Sequence, residues 1–145
     1  MAAQDLTSID HIIDIARGAT APDPVDQEHR QTRRIPYDGT VALVQITPDG
    51  GKSIPTVVRC RNVSAGGMCI HSRYMLHIGY EGAILMMRSN GEAVIIGAKI
   101  VHCKYIGDML HESGVEFIPS SVNFMMDDFC DEQGNMPRLE QPRAA

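Results

Sequence analysis

Residues 30–34 read Arg-Gln-Thr-Arg-Arg, and residues 62–67 read Asn-Val-Ser-Ala-Gly-Gly. The first segment places three guanidinium groups within five residues, directly before a long run of strand-like sequence. The second segment is polar and contains glycine, which predicts a turn between two further strands. Neither is specific alone: an Arg-x-x-x-Arg spacing is expected about once by chance among ten arginines, and Asn-x-Ser also matches a glycosylation acceptor of secreted proteins. Their order and separation make the pair informative.

Taken together, the two segments resemble the signature of the PilZ domain family. An Arg-x-x-x-Arg segment before the first strand, followed by [Asp/Asn]-x-Ser-x-x-Gly at the end of the second, is typical of that family, and the resemblance spans residues 28–119. PilZ domains bind the bacterial second messenger cyclic di-GMP, so the resemblance implies a nucleotide receptor. The ligand-binding residues that it implies are Arg30, Arg33, Arg34, Asn62, Ser64, Gly66 and Gly67.

Three positions leave details of this resemblance open. Asn62 stands where the family most often has Asp, a substitution that the family tolerates. His29 precedes the arginines, at a position that influences how many ligand molecules bind in related proteins, so the stoichiometry stays open. Arg33 has two interpretations, because it can contact the ligand or pair with an acidic residue.

The residue types suit the chemistry of such a ligand. Cyclic di-GMP carries two phosphate charges and two guanine edges, and the planar guanidinium fork fits a phosphate or the O6/N7 pair of guanine with two hydrogen bonds. None of the three lysines lies in residues 30–34, which we call the arginine arm. Asn62 offers an amide to guanine, Ser64 can donate to a phosphate or fix the turn, and Gly66 and Gly67 let backbone and ligand approach closely.

Composition narrows the class of protein. A chain of 145 residues and 15.9 kDa corresponds to one domain, and a net charge of −5 argues against binding a nucleic-acid polymer. The basic arm is local, which favours a small anionic ligand. No apolar run reaches the length of a membrane span, and residues 1–20 lack the features of a signal peptide, so we expect a cytoplasmic protein that does not insert into membranes.

Four cysteines allow two interpretations. Cys60, Cys69, Cys103 and Cys130 include no Cys-x-x-Cys pair, although His71 lies two residues from Cys69. A zinc site built on strands is one interpretation, and reduced cysteines that act as small apolar residues are the other, which we favour. We therefore predict no metal and no cofactor. Catalysis is also not expected, because the acidic residues are scattered and no hydrolase or P-loop motif is present.

Hydrophobic periodicity divides the chain into three parts. Residues 1–27 are predicted to hold a short amphipathic helix, at residues 8–17, and a linker; the helix packs on its own domain or, less favoured, on a partner. Residues 28–119 carry six predicted strands, at 41–46, 54–61, 67–72, 82–88, 93–105 and 113–118, with turns at 62–66 and 107–112. Residues 120–145 are predicted to form a C-terminal helix and a flexible tail. The helix has an apolar face of Val122, Met125, Met126 and Phe129.

This pattern predicts a mainly β protein. Periodicity alone leaves a sandwich and a barrel open, and the family resemblance implies a six-stranded antiparallel barrel with a helix at each end. The function that follows is a cyclic di-GMP receptor in which the ligand orders an arm kept mobile by its own charge repulsion. The arm then shifts the N-terminal helix and signals to a partner protein. The alternatives are a PilZ-like interaction scaffold that ignores nucleotide and, less favoured, a zinc or redox protein.

Overall fold

The computed structural model describes residues 2–17, 34–119 and 122–142, with side chains described from residue 9 onward and, within the first helix, as far as residue 16. One helix precedes six strands and a short 3-10 turn. In chain order the elements are α1 (Ala2–Arg17), β1 (Ile35–Gln45), β2 (Thr56–Ser64), β3 (Gly67–Ser72), β4 (Glu81–Met87), β5 (Ala93–Gly107), β6 (Leu110–Phe117) and the 3-10 turn Met126–Phe129. No helix among the described residues is long and apolar enough to cross a membrane.

The six strands form a closed barrel in the order β1-β2-β3-β6-β5-β4, and every neighbouring pair is antiparallel. Closure decides between the two architectures that periodicity left open. Alternate residues of each strand point inward, so the interior is lined by aliphatic side chains such as Val41, Val58, Ile70, Ile84 and Ile100, each at most 3% exposed.

Strand pairing moves the turn that was predicted at residues 62–66. Asn62 and Ser64 belong to β2, and Ala65 and Gly66 alone connect β2 to β3. Asn62 is paired on both sides, opposite Pro36 of β1 and Cys69 of β3. The polar local sequence around Asn62 favours a turn, but hydrogen bonding to two neighbouring strands keeps this residue in a strand. The local sequence does not reveal those two partners.

Other strand bounds also extend beyond the predicted ones. β1 begins at Ile35 rather than at residue 41, since its first residues pair with β2 after a register shift between Pro36 and Gly39. β5 and β6 continue toward each other until only Asp108 and Met109 remain between them. Both residues have positive φ angles, 53° and 62°, which suits a tight two-residue hairpin turn.

The N-terminal helix packs on its own domain, which confirms the favoured prediction. It begins at Ala2 rather than residue 8, and Ile9 and Ile13 are completely buried in the same core as the barrel interior. The Asp10 carboxylate accepts hydrogen bonds from the backbone N–H of Ser89, at 2.9 Å, and from the Ser89 hydroxyl. These contacts fix α1 against the β4–β5 hairpin.

The predicted C-terminal helix is wrong in the described part of residues 120–145. A single 3-10 turn, Met126–Phe129, stands in its place, and Met125 and Met126 are 61% and 42% exposed. Within the turn Phe129 alone is buried, in an outer cluster with Ala42, Val44, Ala83 and Leu85 on the outside of β1 and β4. A single buried aromatic side chain can anchor this segment without a helix. Polar contacts add to that anchor, since Lys52 Nζ donates to the Asn123 carbonyl at 3.0 Å and to Asp128 at 2.8 Å.

The predicted flexible tail instead lies against β1 as far as residue 142. Backbone and side-chain hydrogen bonds join Glu140 to Thr40, and Arg59 of β2 pairs with the Glu140 carboxylate at 2.8 Å. The carbonyl of Glu140 also approaches the position of a Cβ on Gly39 to 2.8 Å, so this contact needs glycine there. Glu140 is one of the polar residues from which a flexible tail was predicted, and it makes these contacts.

Candidate ligand-binding site

The register of β1 and β2 brings the two sequence motifs together. Pro36 is opposite Asn62, and Ile35 is opposite Val63, so the residue just before β1 lies beside the end of β2. Arg34 Nη1 accordingly donates a hydrogen bond of 2.9 Å to Asn62 Oδ1. Arg30 and Arg33 lie outside the described residues, so the placement of the rest of the arginine arm stays a prediction.

Asn62 is held on a rigid part of the barrel. Its backbone is paired with β1 on one side and β3 on the other, and its side chain is half-buried. The Cys60 thiol contacts the Asn62 carbonyl at 3.5 Å, next to the register shift between Cys60 and Asn62 in the β2–β3 ladder. A side chain on such a doubly paired strand keeps its position before a ligand arrives, which reduces the entropy lost on binding.

Ser64, Gly66 and Gly67 build the hairpin next to Asn62. The Ser64 hydroxyl is buried and donates to the Gly67 carbonyl at 3.4 Å, which supports its predicted alternative role in fixing the turn. Phe117 N donates to the Gly66 carbonyl at 2.8 Å. A Cβ on Gly67 would lie 2.0 Å from the Val115 carbonyl oxygen, so glycine is required there by the close approach of β6. Whether these three residues touch a ligand stays a prediction.

Three cations lie close enough to Cys69, the β3 partner of Asn62, to act on its thiol. Burial, and to a smaller extent Glu112, raises the pKa of the Cys69 thiol, which lies opposite Asn62. The positive charges of Arg34, Arg61 and Lys104 act in the other direction and lower that pKa. Three cations therefore act on one point of the outer surface, although the whole chain carries −5. Such a local positive potential attracts anions.

Sequence reasoning missed Arg61 and Lys104. They lie on β2 and β5, and both act on Cys69 because β3 and β6 lie between those two strands in the sheet. The position of Arg61 next to Asn62 in the sequence could have indicated that it belongs to the site. Strict alternation along a strand, however, predicts that neighbouring residues point to opposite faces. The register shift between Cys60 and Asn62 makes Arg61 the extra residue of a bulge, and it is exposed.

A second set of polar groups lies on the outer faces of β3 and β6. Cys69, His71 and Glu112 bring their donor atoms within 4.8 Å of one another. His71 Nε2 and Glu112 Oε2 are 3.1 Å apart, and this hydrogen bond is the main reason that the pKa of Glu112 is lowered. Cys60, by contrast, is completely buried in the apolar core, which strongly raises its pKa, so the favoured interpretation of an apolar cysteine is confirmed at that position.

Comparison with known proteins adds a family match. A family model described as PilZ domain matches residues 28–126, more than half of the chain and both motifs. Similar solved structures include the PilZ domain of CeSA from a cellulose synthesizing bacterium (21% identity, TM-score 0.45, covering 61% of this chain and 83% of that chain). Another is MrkH of K. pneumonia in its apo state (14% identity, TM-score 0.44, covering 68% of this chain and 44% of that chain). No curated protein matches the chain.

Proposed function

Because the chain belongs to the PilZ domain family, a family of cyclic di-GMP receptor domains, we propose that it binds cyclic di-GMP and passes the signal to a protein partner. The observation that carries this proposal is the hydrogen bond between Arg34 and Asn62, which places one member of each motif at the same point of the surface. The family consists of binding domains rather than enzymes, and a receptor needs no catalytic group here.

The exposed Arg34 guanidinium provides the first contact for the ligand. One of its nitrogens donates to Asn62, and the fork can turn its remaining N–H groups toward a phosphate or toward guanine O6 and N7. Four residues of chain span at most about 14 Å, so Arg30 can reach a ligand of nucleotide size that rests on Arg34. In this proposal Arg30 and Arg34 are the principal ligand contacts, and Arg33 is a further one.

The rigid side of the site is β2 with its hairpin. Asn62 presents its amide to a guanine edge, while Ser64, Gly66 and Gly67 hold the turn in position beneath it. Arg61 and Lys104 add to the positive potential that attracts the two phosphates. A micromolar affinity requires about −8 kcal/mol, which a few charge-assisted hydrogen bonds of roughly 1.5–3 kcal/mol each can supply together with stacking.

The output is a protein contact in this proposal. The ligand neutralises the repulsion among the three arm guanidinium groups and holds the arm against β2. The arm belongs to the segment that joins α1 to β1, so in this proposal a movement of the arm also displaces α1. Displacement of α1 would uncover Ile9 and Ile13, which are buried against the barrel, and create an apolar surface for a partner.

Isothermal titration calorimetry with cyclic di-GMP tests the binding step. We expect saturable binding by the wild type and a loss of roughly thirty- to a hundred-fold in affinity for Arg34→Ala and Asn62→Ala, because each removes a direct contact. Arg138→Ala is the matched control, since Arg138 is exposed on the C-terminal segment, and it should bind normally. No binding at about 100 μM ligand by folded wild-type protein would overturn the proposal and favour the interaction scaffold.

A further inference from the structure

A thiol, an imidazole and a carboxylate converge on the outside of two paired strands. Cys69 and His71 are two residues apart on β3, so their side chains share one face. Glu112 lies directly opposite His71 in the β3–β6 ladder. One donor atom from each residue lies within 4.8 Å of the other two. We call these three residues the β3–β6 cluster.

The spacing of these atoms is close to that of a metal coordination shell. Tetrahedral zinc holds its ligands at about 2.0–2.3 Å, so two of its ligand atoms lie roughly 3.3–3.8 Å apart. Donor atoms within 4.8 Å of one another need to close by no more than about 1–1.5 Å. Side-chain rotation can supply that change, because the two strands that carry the residues are already paired over six positions, from Gly67 to Ser72.

We propose that Cys69, His71 and Glu112 form a binding site for Zn²⁺, with the fourth coordination position left to water or another ligand. A sulfur, a nitrogen and an oxygen donor together suit zinc, whereas magnesium and calcium prefer oxygen donors alone. Three protein ligands with one open position also distinguish this arrangement from closed structural zinc sites, which use four.

The surroundings of the β3–β6 cluster set limits on its affinity. Lys104 Nζ is 3.7 Å from Glu112 Oε1, and Arg34 and Arg61 are close enough to act on Cys69. A divalent cation must therefore displace the His71–Glu112 hydrogen bond and tolerate neighbouring positive charges. Binding is consequently weaker than in a four-ligand structural site, and the ion is exchangeable.

The metal site does not rest on the proposed nucleotide function. Its three ligands are different residues from Arg34 and Asn62, although Cys69 is the ladder partner of Asn62. Asn62→Ala should therefore weaken nucleotide binding and leave metal binding unchanged, and the two proposals can fail separately.

Cobalt substitution provides the test. Chelator-treated full-length protein without a polyhistidine tag is titrated with Co²⁺ and followed by absorption spectroscopy. We expect one ion per chain, a thiolate-to-cobalt charge-transfer band in the near ultraviolet, and loss of that band when one equivalent of Zn²⁺ is added. The charge-transfer band reports on a cysteine ligand, which an adventitious ion held by surface histidines or carboxylates lacks.

Single substitutions assign the ligands. Cys69→Ser should remove the charge-transfer band, and His71→Ala and Glu112→Gln should each weaken Co²⁺ binding at least about tenfold. The matched controls are Cys130→Ser and His77→Ala, which leave the β3–β6 cluster intact and should bind as the wild type does. Circular dichroism confirms that every variant is folded. Absence of the band in folded wild-type protein, or its persistence in Cys69→Ser, overturns the proposal.

Discussion

Arg34 Nη1 and Asn62 Oδ1 are joined by a hydrogen bond of 2.9 Å, although the two residues are 28 positions apart in the sequence. Both side chains are at the surface, so the bond adds little to stability, about 0–1 kcal/mol. Its importance is positional. The pairing of Pro36 with Asn62 fixes where the chain enters the barrel, and the arginine that precedes β1 is thereby delivered to the end of β2.

Arg34→Lys tests whether the guanidinium fork, rather than positive charge alone, recognises the ligand. Lysine keeps the charge but provides a point donor that cannot bind Asn62 and a phosphate or guanine edge in the same geometry. We expect cyclic di-GMP affinity to fall by roughly tenfold, less than in Arg34→Ala, as measured by calorimetry. Normal affinity in Arg34→Lys would contradict bidentate recognition.

Gly67→Ala separates a structural role of this glycine from a ligand-binding role. A Cβ would meet the Val115 carbonyl oxygen at 2.0 Å, so β3 and β6 must move apart. We expect the free energy of unfolding to fall by about 1–3 kcal/mol in urea denaturation. Gly51→Ala is the control, since its nearest neighbours are side-chain oxygens at 3.3 Å. Unchanged stability with lost ligand binding would assign Gly67 to ligand approach instead.

Phe129→Ala tests the anchoring of the C-terminal segment on the outside of the barrel. Phe129 is 1% exposed and packs on Ala42, Val44, Ala83 and Leu85. Its truncation should lower the free energy of unfolding by about 3 kcal/mol, the lower end for buried aromatic residues. Met125→Ala should change stability by less than about 0.5 kcal/mol, because Met125 is 61% exposed. Equal effects of the two substitutions would instead support the helix predicted from sequence.

The Asp128 carboxylate should make stability depend on pH at the acidic end. Its pKa is lowered by the hydrogen bond from Lys52 and then by that from the Met125 N–H. A folded-state pKa below the unfolded value means that the stabilisation is present above about pH 4 and is lost as the pH falls through the folded pKa. The melting temperatures of the wild type and Asp128→Asn should therefore differ near about pH 6 and converge as the pH falls through the folded-state pKa. A constant difference over that range would contradict this assignment.

Much of the barrel could be predicted because its strands carry local signals. All six strands were placed from β-branched runs and turn residues, and Gly67–Ser72 was predicted with its observed bounds. The errors arise where distant partners decide. β1 extends to Ile35 because that residue pairs with β2, and β2 extends to Ser64 because that residue pairs with β3. No local property of Asn62 indicates that it is paired on both sides.

The C-terminal error has a different physical origin. Val122, Met125, Met126 and Phe129 follow helical spacing, but a stable helix needs a surface that accepts the whole apolar face. The outer cluster accepts Phe129, while Lys52 binds the Asn123 carbonyl and Asp128, and these contacts favour an extended approach followed by one 3-10 turn. Hydrophobic periodicity shows which residues would share one face of a helix. It does not show whether the rest of the fold provides an apolar surface against which that face can pack.

The candidate site was predictable to the extent that it follows from the motifs. Arg34 and Asn62 were named from sequence and are in contact, whereas Arg61 was not named because a bulge on β2 changes which face it occupies. Ser64 was named for donating to a phosphate or fixing the turn, and Gly67 for ligand approach. The structure gives both of them roles in the hairpin itself. Motif residues and framework residues look alike in a sequence.

Closure of the barrel has a mechanical consequence. Each of the six strands is hydrogen-bonded to two neighbours, so none can slide without breaking bonds around the whole ring. A small molecule that binds at the start of β1 therefore meets a rigid wall, and in the proposed function the movement falls on α1 instead. We expect the messenger to be read at the α1 end of the protein, while the wall that receives it keeps its shape.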